Sequence, residues 1–206
     1  MSIISNNHNF CFIHIHRTGG TTVKNVLAKQ VDDIKTIYGN ICTLEFAKNF
    51  CPFIEDYFKF SFVRNPYDLV VSIHSSITDK KTSDYYSIKD LTFYEFIQWL
   101  YDVGFKKEES PLYTFYRTQT DFLSINNKIG IDKIYKYETI CNDAESSSIY
   151  SVLVNLGLSL NTKIPITNKS FREFLFQNYY DSKSYRLVNK IYKEDFKNFK
   201  YPMYVC

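Results

Sequence analysis

Apolar and polar positions along this chain alternate between a strand-like period of two and helical spacing. Each switch marks the edge of an element. Phe10–Ile15 is mostly apolar and β-prone and predicts a buried strand. Gly19 and Gly20 end it in a tight turn, and Val23, Val26 and Leu27 then recur at helical spacing. Phe58, Phe60 and Phe62 alternate with Lys59 and Ser61 up to Val63, a second strand. Asn65 is an N-cap and Pro66 a first helical residue, and Leu69, Val70, Ile73 and Ile77 form the stripe of the helix they open.

The rest of the chain reads more coarsely. Residues 1–9 predict a polar leader, 32–38 a short strand, and 43–50 a helix capped by Thr43 and ended by Pro52. Residues 79–89 are polar and charged and predict a mobile loop or lid. A helix spans 91–103, strands span 120–125 and 132–137 around a turn, a helix spans 145–156 before Gly157, and a closing helix spans 181–199. Strands alternating with helices predict one α/β domain over 1–206: a parallel, P-loop-like sheet flanked by helices on both faces.

Both strand-to-helix junctions carry chemistry. At the first, Arg17, Thr18, Gly19, Gly20, Thr21 and Thr22 join a cation, hydroxyls and glycines to a helix N-terminus, a natural site for a phosphate or sulfate. Neither GxxxxGK[ST] nor GxGxxG is present. A plain corner, with glycine for geometry and threonine for capping, uses the same residues. At the second, Arg64 ends a strand and Ser72 lies two helical turns in, on the side of Asp68 and away from the core stripe. Together they suit one phosphate, gripped by a guanidinium fork and a hydroxyl. The plain alternative is a surface Arg and a solvated Ser.

The stretch FIHIHRTGGTTV resembles the phosphosulfate loop of sulfotransferases that use 3′-phosphoadenosine 5′-phosphosulfate (PAPS), which reads approximately FIHIPKTGGTS in the carbohydrate group containing the heparan sulfate 2-O and chondroitin enzymes. FVRNPYDLVVS, TQTDFLS, IDKIYKYETI, ITNKSFREF and the closing helix are similar to later blocks of that family in the same order, so the resemblance spans Phe10 to Tyr201. It implies that the loop holds the 5′-phosphosulfate and that Arg64 and Ser72 bind the 3′-phosphate of PAPS or its product PAP. Lys169, Ser170 and Arg172 would close over the cofactor phosphates, although Ser170 is equally a helix cap. Two departures stand out: the family's loop Lys is Arg17 here, and Asn40 stands where its usual His base would be. Arg keeps the charge but cannot readily donate a proton, and Asn cannot serve as a base. His16, beside Arg17, or Glu45 is the candidate replacement; His14 reads as structural.

Composition narrows the partners. The net charge of +3 is mild, and the 18 Tyr and 18 Phe come with no nucleic-acid motif, so they read as an aromatic core, not a base-stacking surface. Five Cys without CxxC spacing suggest free thiols in a reducing compartment. No apolar run is long enough to span a membrane and no signal peptide is visible, which suggests a soluble cytoplasmic protein. His14 and His16 share a strand side without an evident third ligand, so no metal is expected. The expected activity is sulfuryl transfer from PAPS to a small-molecule or carbohydrate hydroxyl. A degenerate PAPS-binding protein, or a nucleotide kinase or NTPase with an atypical phosphate loop, are the alternatives. The residues specify neither the acceptor nor an oligomeric state.

Overall fold

The strand read from alternating phenylalanines forms where expected. In the computed structural model, which describes residues 1–37, 42–78, 88–104, 117–140, 146–161, 164 and 175–205, it runs Phe58–Val63 and is called β4 here. It pairs in parallel with β2 (Phe10–Ile13) on one side and with β7 (Lys133–Lys136) on the other. Parallel partners in register put their side chains on the same face, so Phe12 stacks on Phe60 at 5.2 Å and Phe62 on Tyr135 at 5.3 Å between ring centroids. This aromatic face packs against Val23, Val26 and Leu27 of α1 (Gly20–Leu27) and against Ile149, Val152 and Leu153 of α6 (Ser148–Asn155).

The opposite face carries Lys59 and Ser61. The Lys59 ammonium, almost fully buried, donates to the carbonyls of Glu55 and Tyr57 and pairs with Asp132 at 3.1 Å. Those carbonyls belong to, or directly follow, the 3-10 turn Pro52–Asp56 after α2 (Leu44–Phe50), so backbone covers this face. Thr43 caps α2 by accepting from the Phe46 N–H, as its position predicts.

Two expectations are corrected. Residues 1–9 are not a polar leader: Ile3–Ser5 forms β1, antiparallel to β2 with Ile3 opposite Phe12. β3 (Lys35–Thr36) adds antiparallel outside it, so the five-stranded order β3-β1-β2-β4-β7 is mixed, with a parallel centre. A three-residue strand is too short to show a period, and only the free edge of β2 makes it one. Ile3 is fully buried in the aromatic core. We expect Ile3→Ala to cost about 2–5 kcal/mol in a urea unfolding curve, with its slope unchanged. A loss below ~1 kcal/mol would show that β1 does not anchor the sheet.

The second correction concerns 120–125. Gln119, Phe122 and Leu123 are buried at helical spacing and form α5 (Gln119–Leu123), and only Ser124–Ile125 (β5) is extended. β5 pairs with β6 (Lys128–Ile129) through Asn126 and Asn127, both in the left-handed conformation that a two-residue hairpin needs. β-prone Phe and Ile disguised the helical spacing.

The chain folds into two compact units. The elements above belong to the first, Met1–Arg64 with Gln119–Lys169. The second, Asn65–Thr118 with Ser170–Cys206, is helical: α3 (Pro66–Thr78), α4 (Phe93–Gly104), α7 (Ser182–Ile191) and α8 (Lys193–Asn198). Asn65 caps α3 by accepting from the Tyr67 N–H at 3.0 Å. Tyr67 lies at the centre of this unit: Tyr180 donates to its carbonyl, and its hydroxyl accepts from the Tyr204 N–H and pairs with Asn189. The closing helix breaks into α7 and α8 at Tyr192. Of the lid expected over 79–89, residues 79–87 lie outside those described, and Ile88–Asp90 is a turn. No helix among the described residues is long and apolar enough to cross a membrane.

Candidate anion-binding site

The first junction is built from the end of β2. After Ile13 the chain leaves the sheet, and Arg17 turns into the left-handed region at φ 63°. That conformation is uncommon for a side-chain-bearing residue and marks a position held by its surroundings. Arg64 is one of these neighbours: its Nη1 donates to the Arg17 carbonyl at 2.9 Å. Gly19 follows at φ 82° as the N-cap of α1, and the Val23 N–H donates back to its carbonyl. A helix opened by glycine has no side chain of its own over its first N–H groups, and the first turn of α1 carries no acidic residue. The first turn of α1 thus offers no acidic side chain of its own to the positive end of the helix.

Both glycines are required by the protein's own packing. A Cβ on Gly20 would lie 1.9 Å from Cδ2 and 2.2 Å from Nε2 of His14. One on Gly19 would lie 2.5 Å from Ile140 Cδ1 and 3.1 Å from the Tyr137 ring. The loop therefore rests on the His14 imidazole on one side and on the 3-10 turn Tyr137–Thr139 on the other. Thr18 is buried and donates its hydroxyl to the Ile15 carbonyl at 2.8 Å, which directs it into the loop. Thr21 is exposed at the head of α1 and Thr22 is buried.

Arg64 is 4% exposed, and its guanidinium lies 4.2 Å over the Tyr137 ring. A cation over an aromatic face is attracted by the ring quadrupole, so carbonyl and ring fix the guanidinium beside the loop. The arrangement places a helix N-terminus, a left-handed turn and a fixed cation within one unit, which suits the charged oxygens of a ligand that carries phosphate-type groups. The residues fit a phosphate or phosphosulfate group on this ground.

His14 and His16 do share a side, with ring centroids 5.9 Å apart. Burial holds the His14 imidazole well below the usual histidine range, with the charges of the N-terminus, His16 and Lys24 pushing the same way. His14 is thus less basic folded than unfolded, so the unfolded chain binds more protons on acidification. The contribution is complete above the unfolded value of about 6.5 and is lost as pH falls below it. We expect stability to decline from pH 7.5 to pH 5 with a slope approaching ~1.4 kcal/mol per unit, and His14→Gln to remove that part of the slope. Equal slopes in urea titrations of the two proteins would exclude His14 as the source.

The other candidates are less gathered. His16 is half-buried at the strand end beside Arg17. Glu45 is exposed in the first turn of α2 and, among the described residues, makes no ion pair with the loop. Ser72 is fully buried in α3 of the second unit, not on a solvated side, because α3 is covered on more than one face. Asn40, Lys169, Ser170 and Arg172 lie outside the described residues. Among those described, no group of three His, Cys, Asp or Glu is placed to hold a metal ion. Sequence reasoning gave no role to Tyr137 or Gln119. Both sit in blocks where family similarity was visible, but only folding shows what they touch.

Searches among curated proteins and among solved structures each found no match. A family model described as the sulfotransferase family matches residues 1–202. That span takes in both strand-to-helix junctions and nearly the whole chain, so the chain belongs to the sulfotransferase family, and sulfuryl transfer is the activity that membership supports.

Proposed function

We propose that this sulfotransferase takes its sulfuryl group from PAPS and delivers it to a hydroxyl, most naturally that of a carbohydrate. The supporting observation is the Arg64–Arg17 contact at 2.9 Å, which brings a fixed guanidinium to the N-terminal end of α1. Loop N–H groups from Gly19 to Thr22 would hold the 5′-phosphosulfate and Arg64 the 3′-phosphate. PAPS supplies an activated sulfuryl group, and this chain orients it, stabilises charge on the leaving phosphate and removes the acceptor's proton. Arg17 suits the second task because it stays cationic at any working pH. His16 at the strand end suits the third, ahead of the exposed Glu45. The carbohydrate acceptor rests on the resemblance of the two loops. The free thiols of Cys11, Cys42 and Cys51 suit a reducing compartment such as the cytoplasm.

Calorimetric titration with 3′,5′-ADP, ATP and 5′-ADP without magnesium tests the donor. Tight binding of the 3′-phosphorylated nucleotide alone is expected; preference for ATP would replace this reading with a nucleotide kinase or NTPase. Transfer of labelled sulfate from PAPS to a panel of sugars tests turnover, and binding without transfer would make the protein a PAP-binding relative. His16→Ala is expected to lower kcat about 100-fold or more with 3′,5′-ADP affinity kept; unchanged kcat would exclude His16 as the base.

A further inference from the structure

We infer that Gln119 is a positioning residue for the anion site: its carboxamide clamps the Arg64 main chain at both its N–H and its C=O. The inference rests on the function proposed above and names what holds that site's cation. The Arg64 N–H donates to Gln119 Oε1 at 2.8 Å, and Gln119 Nε2 donates to the Arg64 carbonyl at 2.9 Å. Gln119 itself is fully buried.

The pairing solves a problem created by the sheet. β4 ends at Val63, the last residue in register with β7, so Arg64 stands just past the ladder. Its backbone groups are buried there and need partners. A primary carboxamide carries the acceptor and the donor of a peptide group, and Gln119 extends the strand by one residue in place of a neighbouring strand. Fixing N–H and C=O together fixes the backbone from which the guanidinium projects. The side chain then meets the Arg17 carbonyl and the Tyr137 ring. Without the clamp Arg64 keeps its charge but loses its aim, and the first property to suffer is recognition of a phosphate at one place.

The test compares wild type with Gln119→Leu and Gln119→Glu by calorimetry with 3′,5′-ADP and 5′-ADP. Gln119→Glu keeps an acceptor for the Arg64 N–H and loses the donor to its carbonyl, and it serves if the leucine variant does not fold. The readout is the affinity ratio between the two nucleotides, which a general loss of stability does not move. Ile3→Val, which loosens the same unit elsewhere, is the control and should lower Tm with the ratio intact. We expect the wild-type ratio to fall about tenfold or more in both Gln119 variants, with 5′-ADP affinity falling by less than 3′,5′-ADP affinity. A wild type that prefers 3′,5′-ADP, with variants of unchanged ratio, overturns the Gln119 assignment alone. A wild type without that preference overturns the proposed donor and this inference with it.

Discussion

Gly20→Ala is expected to disable the anion site and to destabilise the fold at the same time. The new methyl would lie 1.9 Å from His14 Cδ2, well inside van der Waals contact, so either the imidazole or the loop must move. The imidazole has little room. It lies 5.9 Å from the Phe12 ring, and its backbone N–H is tied to Ser2 Oγ at 2.9 Å. The loop is therefore the part that yields, and with it the first N–H groups of α1. Overpacking of this kind costs about 1–3 kcal/mol. A displacement of the loop by even a fraction of an ångström should also lower 3′,5′-ADP affinity by at least about tenfold. His14→Ala removes the obstructing ring, so the double variant should be more stable than the sum of the two single changes implies, by about 0.5–3 kcal/mol. Additive losses across that double-mutant cycle would show that the ring is not what excludes a side chain at position 20.

Arg64→Ala is the second large effect. Hydrogen bonds from a charged donor contribute about 1.5–3 kcal/mol, which predicts a loss of roughly 10- to 100-fold in 3′,5′-ADP affinity. The change also removes a hydrogen bond accepted by the carbonyl of the left-handed Arg17. The loop should then relax, and 5′-ADP affinity should fall too, by less. Arg64→Lys should lie between, because it restores charge without the planar fork or the stacking on Tyr137. Calorimetry without magnesium reads both. Unchanged affinity for 3′,5′-ADP in the alanine variant would remove Arg64 from the site.

What was legible in advance shares one property: the information is local. The phenylalanine alternation of β4, the caps Thr43 and Asn65, and the glycine turn before α1 all lie within a few residues of what they specify. Reading failed where a partner decides the outcome. Ile3–Ser5 is a strand only because β2 offers an edge, and in the β-prone stretch Gln119–Leu123 the helical face is marked only by which residues the rest of the fold buries. The expected parallel sheet became mixed for the same reason, since β1 and β3 carry too few residues to announce themselves.

By itself the sequence determined an α/β chain with two strand-to-helix junctions, a cation and glycines at the first and a cation at the second. It also carried the resemblance to sulfotransferases, and the family match bears out membership of that family. Only the tertiary structure decided how those cations are held. Arg64 meets the Arg17 carbonyl across 47 residues of chain and the Gln119 carboxamide across 55. No periodicity or short motif encodes contacts at such separation. They arise because parallel strands return the chain to the same end of the sheet after each crossover, and there two basic residues that look independent in sequence come into contact.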